Sequence, residues 1–268
     1  MTANLFQLQN YLKVAKEAAL RASVILNENF GKLEPSMIDE KAKNDFVTDV
    51  DRKAEEIIKN HIHAHFKDHS MLAEESPIEK RSSPFLWIID PLDGTSNYIH
   101  RIPIFAISIA LEIEGELAVG LIYEPQRKNL FSSIRGLGAL KNDQPIRVSQ
   151  TDKLSTSLIA TGFPFRIKDI LDTYLSAFKE LFMRASGIRR CGSAALDLAY
   201  TTEGIFGGFF ECLLSPWDMA AGALLVKEAG GAVTDFHGGD QYLKTGNIIA
   251  GSKQIHNEIL KIIQNTFG

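Results

Sequence analysis

Cysteine and long apolar runs are both scarce in this 268-residue sequence. The two cysteines, Cys191 and Cys212, form no C-x-x-C pair, which argues against a zinc ribbon or a redox dithiol and predicts two free, buried thiols. No run of about 18 apolar residues occurs, so no membrane span is expected. The first residues also lack the basic start and apolar core of a secretory signal. These absences predict a soluble cytoplasmic protein.

A basic surplus is also missing. The chain has 29 Lys and Arg residues against 33 Asp and Glu residues, a formal net charge of −4. Proteins dedicated to nucleic acids usually carry excess positive charge to neutralise phosphates, so nucleic acid is not expected as the primary ligand. A small phosphorylated substrate stays possible, because it needs only a local site. The apolar fraction of 45% is ordinary for a globular protein of one large or two modest domains.

The pattern of apolar residues changes near residue 150. Before it, helical spacing predicts two helices, over 4–30 and 49–66, joined by a polar loop over 32–46. A mostly antiparallel sheet is then predicted from apolar stretches at 85–90, 105–113 and 117–125. This pattern predicts an N-terminal α+β subdomain over residues 1–150.

From residue 151 onward, short apolar stretches alternate with helical patterns. Strands are predicted at 157–161, 205–214, 231–235 and 247–251, and helices at about 170–186, 193–203, 217–229 and 253–266. Alternation of this kind is typical of an α/β subdomain, here residues 151–268.

Three histidines, His61, His65 and His69, are spaced four residues apart at the end of the second predicted helix. This spacing could place them on one helix face as a metal-binding stripe. No acidic partner stands beside them in the sequence, so a solvated face is the preferred interpretation.

Two aspartates, Asp90 and Asp93, directly follow an apolar strand in the stretch WIIDPLDGTSNYIH (87–100). Residues three apart in a strand point to opposite faces, but a turn stiffened by Pro91 could make both carboxylates and the Leu92 carbonyl converge. Neighbouring carboxylates repel each other unless a cation neutralises them, and such oxygen ligands suit Mg²⁺. The alternative is a turn in which the aspartates only accept hydrogen bonds from backbone amides.

Three further acidic segments have simple structural explanations when each is considered alone. Glu74 and Glu75 precede a Ser-Pro turn and could be surface charge. Asp218 begins a helix of small residues, where aspartate is a favoured N-cap. Thr48 and Asp51 fit a capping box at the start of the second predicted helix.

Taken together and in order, these segments resemble the inositol monophosphatase family of magnesium-dependent, lithium-sensitive phosphatases. WIIDPLDGTSNYIH matches the family's W-x-x-D-P-[IL]-D-G-T-x-N-[FY] signature, and WDMAAGALLVKEAGG (217–231) matches its second signature. DFVTDVDRKAE and EES precede them in the family's order, and the resemblance covers about residues 8–264. It implies a layered α-β-α-β-α sandwich of the α+β class, the fold shared with fructose-1,6-bisphosphatase.

The resemblance also implies a centre for two to three Mg²⁺ ions. Asp90 would bridge two of them, and the full set of ligands would be Glu74, Asp90, the carbonyl of Leu92, Asp93 and Asp218. Gly94 and Thr95 would cradle the phosphate through backbone N–H groups. Asp51 and Thr95, together with Glu74, would act on the attacking water.

Substrate contacts are implied on the other side of the pocket. Glu211 corresponds to the family's hydroxyl-binding glutamate and could accept hydrogen bonds from vicinal hydroxyls of a polyol. Gly192, Ser193 and Ala194 belong to the family's G-[ST]-A-A stretch and would line the pocket, while Ser193 could also be a helix N-cap. The loop ATGFPFR (160–166) departs from the G-S-S loop of animal members and looks like that of bacterial members, which leaves its polyol contact open.

The resemblance therefore predicts a Mg²⁺-dependent phosphatase that hydrolyses inositol 1-phosphate by attack of a metal-activated water. Phosphatases of fructose 1,6-bisphosphate, 3′-phosphoadenosine 5′-phosphate and histidinol phosphate share both signatures and stay open as alternatives. A non-catalytic scaffold that binds a macromolecule is a further alternative. The resemblance also implies a homodimer and inhibition by lithium.

Overall fold

The computed structural model describes residues 3–42, 45–164 and 169–268. The helices are α1 (Leu5–Asn29), α2 (Asp49–His65), α3 (Thr95–Ile99), α4 (Leu171–Arg184), α5 (Ala194–Thr202), α6 (Pro216–Glu228), α7 (Tyr242–Thr245) and α8 (Lys253–Phe267). The strands of the first half are β1 (Ile38–Ala42), β2 (Asp45–Thr48), β3 (Ser70–Ala73), β4 (Phe85–Asp93), β5 (Ala106–Ile113), β6 (Glu116–Glu124), β7 (Asn129–Ile134), β8 (Ala139–Lys141) and β9 (Gln144–Ile146). The later strands are β10 (Leu158–Thr161), β11 (Gly187–Arg189), β12 (Gly208–Glu211), β13 (Ala232–Thr234) and β14 (Ile248–Gly251). No helix within the described ranges is both long and apolar enough to cross a membrane.

Two sheets form the framework. The first has seven strands in the order β3-β4-β5-β6-β7-β8-β9; β3 pairs with β4 in parallel, and each following pair is antiparallel. The second has five strands in the order β11-β10-β12-β14-β13, with β10 parallel to both β11 and β12 and the remaining pairs antiparallel. The predicted antiparallel meander is confirmed, and the second sheet is mixed.

Helices and sheets alternate in five layers. Helices α1 and α2 pack on one face of the seven-stranded sheet, where Trp87, Ile109 and Leu121 are fully buried. Helices α5 and α6 lie between the two sheets and pack against Phe209 of β12. Helices α4 and α8 cover the outer face of the five-stranded sheet around Phe210. The layers therefore follow the α-β-α-β-α order that the resemblance implied.

Helix α6 consists of small and apolar residues because it is enclosed between the sheets. At Gly120 of β6, an added β-carbon would lie only 2.8 Å from the carbonyl oxygen of Ala221. This close approach requires glycine in the strand. It also holds the first turn of α6, which carries Asp218, near the end of β4.

The predicted helix boundaries are correct to within two residues, whereas several short elements were missed. The polar loop predicted over 32–46 instead contains an antiparallel hairpin, in which Ile38 of β1 pairs with Thr48 of β2; residues 43 and 44 lie outside the described ranges. The missed elements also include β3, α3, β11 and α7, which have three to five residues each. Segments this short carry little hydrophobic periodicity, so their neighbours decide their conformation.

The prediction that three histidines share a solvated face is wrong for His69. Helix α2 ends at His65, and His69 is buried beyond it, where its Nδ1 lies 3.1 Å from Nε1 of Trp87. His61 and His65 do lie together, with ring centroids 4.7 Å apart. Helix α1 supplies the acidic partner that the local sequence lacks: Oε2 of Glu17 lies 3.2 Å from Nε2 of His61.

Candidate active site

Asp90 and Asp93 face the same side of β4 because the strand bulges between them. Asp90 pairs with Ser108 of β5, and Asp93 pairs with Ala106, so three steps along β4 match two along β5. A β-bulge inserts one residue and changes the face to which the following side chain points. The expected turn after the strand is therefore wrong: β4 continues through Asp93. The bulge contains Pro91, whose missing N–H is tolerated at such an irregularity.

Three carboxylates converge at the end of β4. One oxygen each of Asp90, Asp93 and Asp218 lies within 4.8 Å of the others. Asp90 is fully buried, and its Oδ1 accepts a hydrogen bond from the Leu92 N–H at 2.9 Å. Within the described part of the chain, no donor reaches its Oδ2. A buried carboxylate oxygen without a donor is costly, so this arrangement fits a bound cation.

Desolvation raises the pKa values of these three carboxylates, and repulsion by neighbouring negative charges adds to the shifts of Asp90 and Asp218. For Asp90, burial is the largest cause, followed by the negative charges of Glu74, Asp93 and Asp218. Burial also raises the pKa of Asp218 most, with Asp93 and Glu74 adding to it. A divalent cation would relieve this repulsion, and a set of carboxylate and carbonyl oxygens is typical of Mg²⁺.

Two helix starts hold the carboxylates in position. Ser215 is the N-cap of α6, and its N–H donates to Oδ2 of Asp218 at 2.7 Å. The alternative explanation of Asp218 as an N-cap is therefore wrong: Asp218 is the third helical residue of a capping box. Oδ2 of Asp93 accepts hydrogen bonds from Oγ of Ser193 at 2.6 Å and from the N–H of Ala195 at 2.7 Å. Ser193 is the N-cap of α5, as predicted.

Asp51 connects a helix cap to the site. Its Oδ2 accepts hydrogen bonds from the N–H of Thr48 at 2.9 Å and from the Thr48 hydroxyl, which confirms the predicted capping box. Its Oδ1 lies 3.0 Å from Oγ1 of Thr95, which is 3.1 Å from the carbonyl oxygen of Leu92. Burial raises the pKa of Asp51 to about 6, against the lowering effect of the Thr48 hydrogen bond.

A cleft of about 200 Å³ opens above these groups. Glu211, at the end of β12, forms part of its wall and packs directly on Gly162, where an added β-carbon would overlap the Glu211 carboxyl group. Desolvation raises the pKa of Glu211 to about 8, and the charge of Asp197 adds to the shift. Gly162 therefore leaves the room that the Glu211 carboxyl group occupies, a role that the sequence did not reveal.

Arg190 and Asp197 also line the cleft, although the sequence did not single them out. Asp197 is 1% exposed, and no described group donates to its Oδ1. Burial raises the pKa of Asp197 to about 8. The positive charge of Arg190 lowers the pKa values of Asp93, Asp197 and Glu211. The stretch RRCGSAALD (189–197) could have indicated both residues, because Arg190 and Asp197 flank its G-S-A-A segment.

The cleft brings together all the predicted site residues except Asp51, which reaches it through Thr95. Those that line it are Glu74, Asp90, Leu92, Asp93, Gly94, Thr95, Gly192, Ser193, Ala194, Glu211 and Asp218. Gly94 adopts a positive φ of 99° as the N-cap of α3, a conformation that favours glycine. Phe165 and Arg166, in the loop at 160–166, lie outside the described residues.

Known proteins are similar to this chain in sequence and architecture. The model of the inositol monophosphatase family matches residues 7–266. Nus factor SuhB of Escherichia coli (strain K12) is 44% identical over 250 residues, which cover 93% of this chain and 94% of that protein. The extragenic suppressor protein suhB from Bartonella henselae superposes with a TM-score of 0.92 at 41% identity, covering 95% of this chain and 98% of that one. Inositol monophosphatase from Anabaena (Nostoc) sp. PCC 7120 gives a TM-score of 0.83 at 39% identity, with 97% of each chain covered. The chain belongs to the inositol monophosphatase family.

Proposed function

We propose that this protein is a Mg²⁺-dependent phosphatase that hydrolyses inositol 1-phosphate to inositol and phosphate. The observation that carries the proposal is the convergence of Asp90, Asp93 and Asp218 around a buried carboxylate oxygen that no described group satisfies. This cluster lies in the same cleft as Thr95, whose hydroxyl contacts Asp51.

The donor set fits Mg²⁺ on chemical grounds, because it consists of hard oxygen atoms without a thiolate or imidazole. Two to three ions would be held by Glu74, Asp90, the Leu92 carbonyl, Asp93 and Asp218. Bound Mg²⁺ would lower the pKa of the attacking water and stabilise negative charge on the phosphoryl group.

Thr95 and Asp51 would receive a proton from the attacking water. When Thr95 donates its hydroxyl proton to Oδ1 of Asp51, its oxygen can accept a proton from the water. The raised pKa of Asp51, about 6, makes this carboxylate a better proton acceptor than an exposed aspartate. The two residues would therefore act together as the general base.

Phosphate would bind beside this pair. Gly94 and Thr95 begin α3, where the N–H groups of the first turn have no partners within the helix and can donate to phosphate oxygens. Arg190 adds positive charge to the same cleft. The phosphoryl group would thus lie between N–H donors and the acidic metal ligands.

Glu211 and the start of α5 would bind the alcohol portion of the substrate. The Glu211 carboxyl group lies against Gly162 on the cleft wall, where it can hydrogen-bond to vicinal hydroxyls. The same cleft is lined by the small residues Gly192, Ser193 and Ala194, which would leave room for the alcohol portion beside Glu211. The name of the Anabaena relative supports an inositol monophosphate as the substrate.

A second candidate is a role in binding a macromolecule, with or without catalysis. The name of the Escherichia coli relative, a Nus factor, favours keeping this candidate. A non-catalytic scaffold has no need of the metal ligands, yet the complete acidic cluster is present. We therefore place catalysis first.

Phosphate release with saturating Mg²⁺ tests the proposal. The substrates are inositol 1-phosphate, fructose 1,6-bisphosphate, 3′-phosphoadenosine 5′-phosphate and histidinol phosphate. We expect the highest kcat/KM for inositol 1-phosphate, no turnover in chelator, and a loss of at least about a hundredfold in Asp93→Asn. Asp152→Asn, at an exposed position, is the matched control. Faster turnover of 3′-phosphoadenosine 5′-phosphate would refute inositol 1-phosphate as the substrate. Full activity of Asp93→Asn would refute the assignment of the metal ligands.

A further inference from the structure

A second cluster of potential metal ligands lies between α1 and α2. It consists of Glu17 from α1 and of His61 and His65 from α2, and one ligand atom of each lies within 4.8 Å of the others. None of the three residues lines the active-site cleft. His61 is ten residues beyond Asp51 on α2, about 15 Å along the helix axis. The cluster is therefore separate from the acidic centre.

The positions of His61 and His65 on α2 favour binding of one metal ion by both side chains. Residues four apart lie on the same helix face, and two histidines in this relation are a recurrent zinc-binding arrangement. Nε2 of His61 and Oε2 of Glu17 are 3.2 Å apart. Two ligand atoms about 2.0–2.1 Å from a tetrahedral Zn²⁺ are separated by about 3.3 Å, so this edge of a coordination tetrahedron already exists.

The state of His65 is also suited to metal binding. Its Nδ1 lies 2.9 Å from the carbonyl oxygen of His61, so Nδ1 carries the proton and Nε2 keeps its lone pair for a ligand. A histidine that ligates a metal usually donates its other ring N–H in this way. His65 is exposed, so an ion from solvent can reach it.

The surroundings of His61 favour the neutral ring that ligation requires, because they lower its pKa. Partial burial lowers the pKa of His61, the neighbouring His65 and Arg21 lower it further, and the hydrogen bond with Glu17 opposes the shift. Lys13 also lies near Glu17: its Nζ is 4.0 Å from Oε1 of Glu17, and because the Lys13 side chain is largely exposed it can move away. The His61–Glu17 contact and the bond of His65 to the His61 carbonyl oxygen can each form without a metal, but together they bring the three ligand atoms within 4.8 Å of one another.

We propose that Glu17, His61 and His65 bind a divalent transition-metal cation such as Zn²⁺, and that the bound ion links α1 to α2. Two imidazole nitrogens and one carboxylate oxygen suit Zn²⁺, Cu²⁺ or Ni²⁺ rather than Mg²⁺. On binding, His61 takes its other neutral tautomer, with the proton on Nδ1, and water completes the coordination.

Electron paramagnetic resonance with Cu²⁺ tests the site in the full-length protein. Mg²⁺ is kept saturating, and one equivalent of Cu²⁺ is added. We expect nitrogen hyperfine coupling from two imidazoles, which the all-oxygen ligands of the acidic centre cannot produce. His65→Gln should lose one of the two nitrogens, and His61→Gln/His65→Gln should lose both. His63→Gln is the matched control, because His63 lies on another face of the same helix.

Zn²⁺ affinity and thermal unfolding give the second measurement. Competition with a chelator should show at least about tenfold weaker binding of Zn²⁺ at this site in Glu17→Gln and His65→Gln. Zn²⁺ should raise the Tm of the Mg²⁺-loaded wild type and of His63→Gln more than that of the double variant, while Mg²⁺-dependent hydrolysis is unchanged in His65→Gln. Nitrogen coupling that is absent in the wild type, or unchanged in the double variant, would overturn the proposal.

Discussion

Oγ1 of Thr95 lies 3.0 Å from Oδ1 of Asp51, although 44 residues separate them in the sequence. The other oxygen of Asp51 closes a capping box with Thr48, so one carboxylate both starts α2 and faces the active-site cleft through Thr95. The cap prevents the Asp51 side chain from rotating away. A local element of helix stability therefore aligns a group that we propose to act in catalysis.

Removing the Thr95 hydroxyl should abolish the proposed proton transfer. We expect kcat for inositol 1-phosphate to fall by about 10²–10⁴-fold in Thr95→Ala, with a smaller change in KM. Thr95→Ser keeps a hydroxyl and should recover much of the rate. Steady-state kinetics at saturating Mg²⁺ measure both variants. Equal rates for Thr95→Ala and the wild type would rule out this role.

The pH dependence of activity should report Asp51. As a proton acceptor Asp51 must be ionised, so kcat/KM should rise with pH along an acid limb whose midpoint lies at or below about pH 6. Burial raises the pKa of Asp51 to about 6, and bound cations nearby would lower it again. Asp51→Asn should lose this limb and most of the rate. An unchanged limb in Asp51→Asn would assign it to another group.

Substitution of Gly162 should disturb substrate binding through Glu211. A β-carbon at this position overlaps the Glu211 carboxyl group, which must then move. We expect KM for inositol 1-phosphate to rise about tenfold in Gly162→Ala, the cost of roughly one hydrogen bond. In a double-mutant cycle, Gly162→Ala should raise KM much less when it is introduced into Glu211→Ala than into the wild type. Additive effects would show that Gly162 acts independently of Glu211.

The buried Asp197 should make stability depend on pH. Its folded pKa of about 8 is above the value of about 3.9 in an unfolded chain, so the folded state binds more protons between these values. The contribution of Asp197 to the free energy of unfolding is therefore greatest below about pH 4 and is lost as the pH rises towards 8, by at most about 1.4 kcal/mol per pH unit.

The Asp197→Asn variant isolates this effect, because its amide does not titrate. In urea unfolding with chelator present, the wild type should lose stability relative to Asp197→Asn between pH 5 and pH 8. Control substitutions can be made at the exposed residues Asp172 of α4 and Lys253 of α8, which lie on the outer helical layer. The pH dependence of stability in these variants should match that of the wild type. Parallel pH curves for the wild type and Asp197→Asn would contradict the raised pKa.

Much of the fold and most of the cleft were predictable from the sequence. Helical spacing located α1, α2, α4 and α8 to within two residues, because an amphipathic helix shows its buried face in a single stretch of sequence. Helix α6 was located equally well, although it is enclosed between the sheets and shows no single buried face. The capping box at Thr48 and Asp51 was equally visible, since both partners lie within one turn. Resemblance to a family then linked segments that local patterns could not connect.

Only the tertiary structure revealed features whose partners are distant in the chain. The bulge that aligns Asp90 with Asp93 depends on pairing with β5, and the contact of Glu211 with Gly162 depends on the pairing of β10 with β12. The histidines of α2 were interpreted as solvent-facing because their acidic partner, Glu17, is 44 residues away from His61.

The sequence by itself determined the long helices, the main strands, the capping box of α2 and the inventory of chemical groups, because these depend on residues within a few positions of one another. The packing of five layers decided which of those groups meet, and it alone placed one oxygen of Asp90 where no donor from the described residues reaches it. The physical reason is that burial and charge repulsion are properties of a three-dimensional neighbourhood, to which residues far apart in the chain contribute equally.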